Sequence, residues 1–353
     1  MPQLCPELTS KLASLKQLKQ QFDLEFTKIK SLDSKKSDNL IFIRETKIKL
    51  EQGLAEFSDL FWPFENTELN WENFETQYES QKNLLIKTGL LKKISTGELG
   101  IKAIDKKEYP ILTLEQIKEM MLEKRDFFKT KINQGFVKLA LVPFGLPISS
   151  LIKAYDKALT EHHQQGKLLD TKNQPLMLTE EPIKDWAGFV EAETTGDLVY
   201  FPQAYSKTTH QGKTKQELLS NQAWQVLLLE DLPDLPPEGQ GKIIDHRQQP
   251  EANQSPNNYL KQLQTNPQYK GEQGLTPESW ITYALGHLEQ TNQVIDNYEG
   301  SGKACYLLSI FFKETGGVPN ACFSRSLAEV GLVQRAPGDP NPDFAGRFGV
   351  SIS

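Results

Sequence analysis

"DFAGRFGVSIS", residues 343–353, is the stretch on which the reading of this chain turns. Chain ends commonly fray into polar residues. This stretch instead carries Phe344, Phe348, Val350 and Ile352, with Gly346, Arg347 and Gly349 among them. Phe348, Val350 and Ile352 alternate, which sets them on one face of a half-buried strand. Gly346 allows a close backbone approach or a bulge, and Arg347 calls for a buried or bidentate partner. The stretch predicts a strand paired inside a sheet core.

Just upstream, "NACFSRSLAEVGLVQRAPGDPNPD" (320–343) shows little periodicity. Its exposed-looking residues are Asn320, Cys322, Ser324, Ser326, Glu329, Val333, Gln334, Arg335, Asp339 and Asn341. Adaptable polar side chains mixed with a few apolar ones have the texture of a paratope. Only Phe323 and Phe344 supply rings here. Arg335 is the versatile donor, and Cys322 and Phe323 offer apolar contact.

Working further back, "ACYLLSIFF" (304–312) reads as one buried strand. "TPESWITYALGHLEQTNQ" (276–293) reads as a helix capped by Thr276, with Pro277 in its first turn. Trp280, Ile281, Ala284, Leu285 and Leu288 fall on its inward face. "DLVYFPQAY" (197–205) and "AWQVLLLEDLPDLPPEGQGKIID" (223–245) set short apolar runs between Pro- and Gly-rich connections, a pattern of short strands in a loop-rich domain. Phe136 to Val142 reads as a strand, followed by a turn at Pro143, Gly145 and Pro147. A helix capped by Ser149 or Ser150 then runs through Leu151, Ile152, Tyr155 and Leu159.

The first 135 residues read as largely helical. Two apolar stripes, 8–29 and 43–61, flank the polar break "SLDSKKSDN" (31–39) and predict an antiparallel hairpin. Their seven-residue spacing leaves homo-oligomerisation through these helices open. "NLLIKTGLLKKI" (83–94) looks helical, and Thr113 with Gln116 forms a capping box. The expected organisation is α+β, with a helical region 1–135 followed by a loop-rich domain 136–353.

Composition narrows the function classes. The 353 residues are 38% hydrophobic and 24% charged, with net charge −6. That balance disfavours a general nucleic-acid partner. No run of about 18 apolar residues predicts a membrane span, and residues 1–20 lack a signal-peptide pattern. Cys5, Cys305 and Cys322 make neither a disulfide framework nor a zinc spacing. Free thiols in the cytoplasm are expected, with surface display left open.

His162 and His163 are adjacent, so on a helix they diverge by about 100° and cannot share a metal from one face. His210, His246 and His287 lack clustered partners in sequence. Nucleophile elbow, zinc-protease and Walker patterns are absent, and "EGSGKACY" (299–306) reads as a turn before a strand. The acids of "DLPDLPPEGQG" (231–241) leave a calcium site as an alternative. No catalytic residue, resident metal or cofactor is expected.

The ordered set "TPESWITYALGHLEQTNQVIDN", "YLLSIFF", "GGVPNACFSR" and "GRFGVS" resembles the C-terminal end of variable proteins of diversity-generating retroelements. That family has a C-type lectin fold of the type shared with formylglycine-generating enzymes. The resemblance covers roughly 136–353 and is most specific over 275–353. It implies a rigid scaffold with a variable segment at about 318–350, rewritten by a reverse transcriptase that errs at template adenines. It also implies a non-enzymatic protein whose partner is an unknown protein or surface ligand. The close cysteine pair of formylglycine-generating enzymes has no counterpart here. An enzyme or accessory module on that fold, and a helical oligomerising interaction protein, remain the alternatives.

Overall fold

A computed structural model describes residues 69–219 and 223–352, and Trp71–Ser353 forms one compact unit. The stripes at 8–29 and 43–61 lie outside the described residues. The boundary expected at 135/136 falls inside the compact unit.

The unit begins with α1 (Trp71–Lys87) and a small antiparallel sheet of β1 (Lys92–Lys93), β2 (Leu99–Lys102) and β3 (Glu108–Pro110). Helices α2 (Leu114–Glu123) and α3 (Arg125–Asn133) lead into β4 (Phe136–Val142). Next come α4 (Ile148–Gln164), β5 (Ile183–Asp185), α5 (Phe189–Thr195), β6 (Leu198–Tyr200) and α6 (Lys215–Leu218). They are followed by β7 (Gln225–Glu230) and a ribbon of β8 (Ile243–Ile244) and β9 (Arg247–Gln248). The chain continues through α7 (Pro256–Thr265), a 3-10 turn (Pro267–Tyr269), β10 (Glu272–Gly274) and α8 (Pro277–Thr291). It finishes with β11 (Asn297–Tyr298), β12 (Ala304–Tyr306), β13 (Ile310–Phe312), β14 (Val318–Ser324), β15 (Glu329–Arg335), β16 (Phe344–Gly346) and β17 (Phe348–Ser351). The fold is mixed α+β.

Two sheets organise the core. One is antiparallel, in the order β10-β17-β7-β4. The terminal strand β17 therefore lies inside it, and Phe348, Val350 and Ile352 are all buried. A Cβ on Gly349 would lie 2.8 Å from Leu229 Cδ2, so a larger residue there would displace that side chain. The other sheet runs β16-β12-β14-β15-β5, with β11 beside β14. Its β12–β16, β15–β5 and β11–β14 pairs are parallel, and its β12–β14 and β14–β15 pairs antiparallel. Arg347 is the single residue between β16 and β17, so the chain passes there from one sheet to the other.

The edge of β4 is closed by side chains. Gln77 and Gln81 lie four apart on α1, hence on one helical face. Leu139 N donates to Gln77 Oε1 and Leu141 N to Gln81 Oε1, each at 2.8 Å. Gln77 Nε2 donates to Val137 O at 3.0 Å, and Gln81 Nε2 donates to Leu139 O. The two carboxamides supply what a neighbouring strand would supply, and so blunt an exposed edge. This ties α1 to the sheet.

Several local expectations match. Thr113 and Gln116 form their capping box. Thr276 caps α8 with Ser279 at the third position and Pro277 at the first turn. Trp280, Ile281, Ala284, Leu285 and Leu288 are buried, and Trp280 packs edge-on against Tyr155 of α4 at 6.1 Å.

Others need correction. "NLLIKTGLLKKI" is helical only to Lys87, because Gly89 turns the chain with φ +73 toward β1. Residues 92–110 hold a sheet, so the region before 136 is not all helical among its described residues. "ACYLLSIFF" is two strands in different sheets, since β12 pairs β14 while β13 pairs β6. Neither Ser149 nor Ser150 caps α4. The Glu193 carboxylate does so, accepting from Ile148 N at 3.0 Å.

Phe348 stands edge-on to Tyr259 and Tyr269 at 6.2 and 5.2 Å and has no exposed surface. Phe348→Ala should cost about 3–5 kcal/mol, against about 0.5 kcal/mol or less for Ser326→Ala on the surface. Urea unfolding measures both, and equal losses would contradict this placement of the core.

Candidate functional site

β14 and β15 pair without a bulge from Val318↔Arg335 to Ser324↔Glu329, so alternation divides their side chains between two faces. One face carries Val318, Asn320, Cys322 and Ser324 of β14, with Glu329, Gly331, Val333 and Arg335 of β15. The strand registers extend it to Ala304 and Tyr306 of β12, Phe344 of β16, Tyr298 of β11 and Lys184 of β5. The opposite face carries Cys305, Ala321, Phe323, Val330, Leu332 and Ala345, all buried. It lies toward Asp296 and Arg347, which surround the Cys305 thiol.

The structure thus brings together six of the residues read from the sequence: Asn320, Cys322, Ser324, Glu329, Val333 and Arg335. It separates the rest. Phe323 points to the opposite, packed face and is 1% exposed. Gln334 also lies opposite and accepts from Thr315 Oγ1 at 2.6 Å. Ser326 sits in the turn between the two strands and donates to Glu299. Asp339 and Asn341 belong to the loop before β16, where Asn341 Oδ1 accepts from Asp343 N at 2.8 Å.

Exposure also differs from expectation. Asn320, Cys322, Ser324 and Glu329 are buried, at 0, 7, 5 and 6%. Larger side chains cover them. Trp186, itself 65% exposed, donates from Nε1 to Glu329 Oε1 at 3.3 Å. The exposed Arg335 reaches Phe344, its guanidinium carbon 5.2 Å from the ring centroid. Tyr306 stacks beside Phe344 at 5.3 Å and against Tyr259 of α7 at 6.2 Å. The face is packed under α7 at its β16–β12 end and open toward β15 and β5. A methyl on Gly331 would meet nothing within 4 Å, which marks a notch in the open half.

Trp186, Tyr298 and Tyr306 supply the rings that 320–343 lacks. Trp186 was not legible as a site residue, because it arrives through a parallel pairing of β5 with β15. Parallel partners are joined by long crossovers and share no local pattern.

Three buried charge clusters stiffen the scaffold. Arg347 Nη2 donates to Asp296 Oδ1 at 2.6 Å and to Pro233 O at 3.1 Å, and Trp280 Nε1 donates to Asp296 Oδ2 at 2.8 Å. Burial pushes the Asp296 carboxyl up to about 6, while Arg347 and Trp280 oppose the rise. Arg247 bridges Glu272 and Glu230, and Lys131 completes the balance on Glu272 at 2.7 Å. Lys215 lies between Glu193 and Glu278, where burial raises the Glu193 carboxyl despite the lysine.

Other candidate chemistry dissolves on inspection of its partners. Cys305 and Cys322 point to opposite faces of one sheet. Burial pushes the Cys322 thiol up to about 12. Asp234 accepts from Thr171 and from Asn297 N, Glu238 from Asn253, and Asp231 pairs with Lys138. The acids of that loop therefore fasten it at separate points. Among the described residues no group of three His, Cys, Asp or Glu could hold a metal, and no helix is long and apolar enough to cross a membrane.

His287 on α8 is 8% exposed, and its Nε2 has no partner. Burial, then Arg347, lowers its pKa below the ordinary 6.5. The unfolded chain therefore takes up this proton more readily than the folded one. The stability that neutral His287 contributes is present above about pH 6.5 and falls as pH drops through the depressed folded value. Urea midpoints at pH 7.5 and 5.5 should draw closer in His287→Gln than in the unaltered chain. An unchanged gap would contradict the assignment. No family model matches the chain, and no curated protein or solved structure is significantly similar to it.

Proposed function

We propose that this chain is a non-enzymatic ligand-binding protein. Its β14–β15 face is the recognition surface, carried on a C-type-lectin-like scaffold of the kind used by variable proteins of diversity-generating retroelements. The observation that carries this reading is a division of labour within one sheet. Residues 320, 322, 324, 329, 333 and 335 share one face, while Ala321, Phe323, Val330 and Leu332 are buried on the other. Changes at Val333 and Arg335, the members of the first set that are not buried, leave the apolar packing of the second in place. The ligand is a protein or another surface molecule. Trp186 and Tyr298 give the aromatic anchors that such surfaces use.

Cysteine-pair chemistry of the formylglycine-generating type is not favoured, because Cys305 and Cys322 lie on opposite faces. The surface role does not draw on the residues before Trp71.

A display library that jointly randomises Gly331, Val333 and Arg335, the open part of the face, tests the reading. Most members should retain protease resistance, and members selected against unrelated proteins should differ in target. A parallel library at Val330, Leu332 and Phe323 should lose resistance. Equal loss in both libraries, or no selectable binder from the first, would sink the reading. In the genome, a reverse transcriptase beside an adenine-altered near-copy of the 3′ end is the independent expected finding.

A further inference from the structure

Trp186 has 65% of its surface exposed and stands at the open edge of the larger sheet, directly after β5. The parallel register sets Lys184 beside Gly331 and Asp185 beside Leu332. Ala187 N donates to Leu332 O at 3.0 Å, so the pairing runs past Trp186 and places it level with Val333. On β15 the same face carries Glu329, Gly331 and Val333 in succession. The bond from Trp186 Nε1 to Glu329 Oε1, at 3.3 Å, therefore spans the row of Gly331, where an added methyl would meet nothing within 4 Å. Indole, carboxylate and bare backbone border one slot on the surface.

Glu329 is 6% exposed, and a carboxylate so buried ordinarily carries a cationic partner. Its partner here is an uncharged indole N–H. The second oxygen, Oε2, has no partner among the described residues and is not sealed from solvent. The basic side chains nearest in register and in sequence are already engaged, Lys184 by Glu181 and Arg325 by Asp170. The slot thus sets one uncompensated carboxylate beside one exposed aromatic ring.

We propose that Trp186, Glu329 and Gly331 form a subsite for a lysine side chain of a protein ligand. This rests on the reading of the β14–β15 face as a recognition surface and names the chemistry of its ligand. An ammonium within about 6 Å of an indole centroid is attracted by the ring quadrupole. A carboxylate bonded to the indole N–H lies at the edge of that ring, within reach of the same cation. The apolar lysine stem packs along Trp186 and Val333, and Gly331 leaves room for it. Because the indole N–H faces Oε1, the open acceptor is Oε2. A single oxygen suits the point charge of an ammonium better than the planar fork of a guanidinium. It also calls for an N–H donor, which a quaternary ammonium lacks.

The test uses the full chain and four probes: Nα-acetyl-lysine methylamide, its Nε-acetyl derivative, the corresponding arginine compound and choline. Binding is read by calorimetry, by the Trp186 indole N–H resonance and by the Gly331 backbone amide resonance. The lysine probe should bind with a dissociation constant on the order of 1 mM, the range for a fragment of its size. It should shift both resonances and bind about tenfold more tightly than its Nε-acetyl derivative or choline. Glu329→Gln keeps an acceptor for the indole and deletes the charge, so it should remove the preference for lysine over the acetylated probe. Trp186→Ala should weaken the lysine probe about threefold or more while leaving the melting temperature unchanged, because the ring is exposed. That variant decides the matter even where Glu329→Gln does not fold. Equal binding of the lysine probe and its acetyl derivative, tighter binding of choline or of the arginine probe, or a preference that survives Glu329→Gln would overturn the proposal. Binders selected from the Gly331, Val333 and Arg335 library, with no response of the full chain to the lysine probe, would overturn this subsite and leave the display reading standing.

Discussion

The ion pair between Arg347 and Asp296 is the junction on which the fold closes. Arg347 occupies the one position between β16 and β17, where the chain leaves the larger sheet for the centre of the smaller one. Its guanidinium donates to Asp296 and to the carbonyls of Leu232 and Pro233, and it lies 5.1 Å over the Tyr283 ring. Asp296 in turn accepts from Trp280 of α8, and its backbone carbonyl accepts from Phe323 N of β14 at 3.2 Å. Both sheets, the long helix and the proline-rich loop therefore meet at one desolvated pair. Such a pair does little for stability in itself, but removing either partner strands a buried charge. It fixes which elements meet more than it glues them together.

That junction also divides the larger sheet into two unlike faces. The face of the larger sheet turned toward Asp296 and Arg347 is fully packed, so its residues are constrained. The other face is packed across β16, β12 and β14, where Phe344, Tyr306, Val318 and Cys322 share a core cluster with Tyr259 of α7, and opens toward β15 and β5. The least buried positions of that face on β15, Gly331, Val333 and Arg335, lie across the sheet from the residues packed toward Asp296 and Arg347. Glu329 is held by the exposed Trp186 indole, while Asn320 stands between Val318 and Cys322 of the core cluster.

Much of this was legible wherever a local rule governs. β4 spans the residues read as a strand, because a seven-residue run, apolar but for Lys138, between a glycine and a proline has few other solutions. Thr276 and Pro277 announced α8, and the alternation of Phe348, Val350 and Ile352 announced a core strand. What escaped depends on partners distant in sequence. Strands of two to four residues, such as β1 and β5, are too short to show a period. Leu307 to Ser309 break "ACYLLSIFF" into strands of different sheets, which its uniform hydrophobicity conceals. The polar residues of 320–335 looked exposed because they are polar. Glu329 is reached by Trp186, and Asn320 is flanked by the packed Val318, Cys322 and Tyr306, which composition cannot reveal. The glutamine pair that closes the β4 edge was likewise silent, since Gln77 and Gln81 resemble any solvated helical face.

The most direct test of this account is a double-mutant cycle on the junction: Arg347→Met, Asp296→Asn and the two combined, each unfolded in urea. The account predicts a loss of about 3–5 kcal/mol for Arg347→Met, which leaves the buried carboxylate uncompensated. It predicts a double variant clearly more stable than the sum of the single losses implies, since the charge pair is removed together. Additive losses, or an Arg347→Met variant as stable as the original chain, would show that the two sheets are held by packing alone and would contradict it.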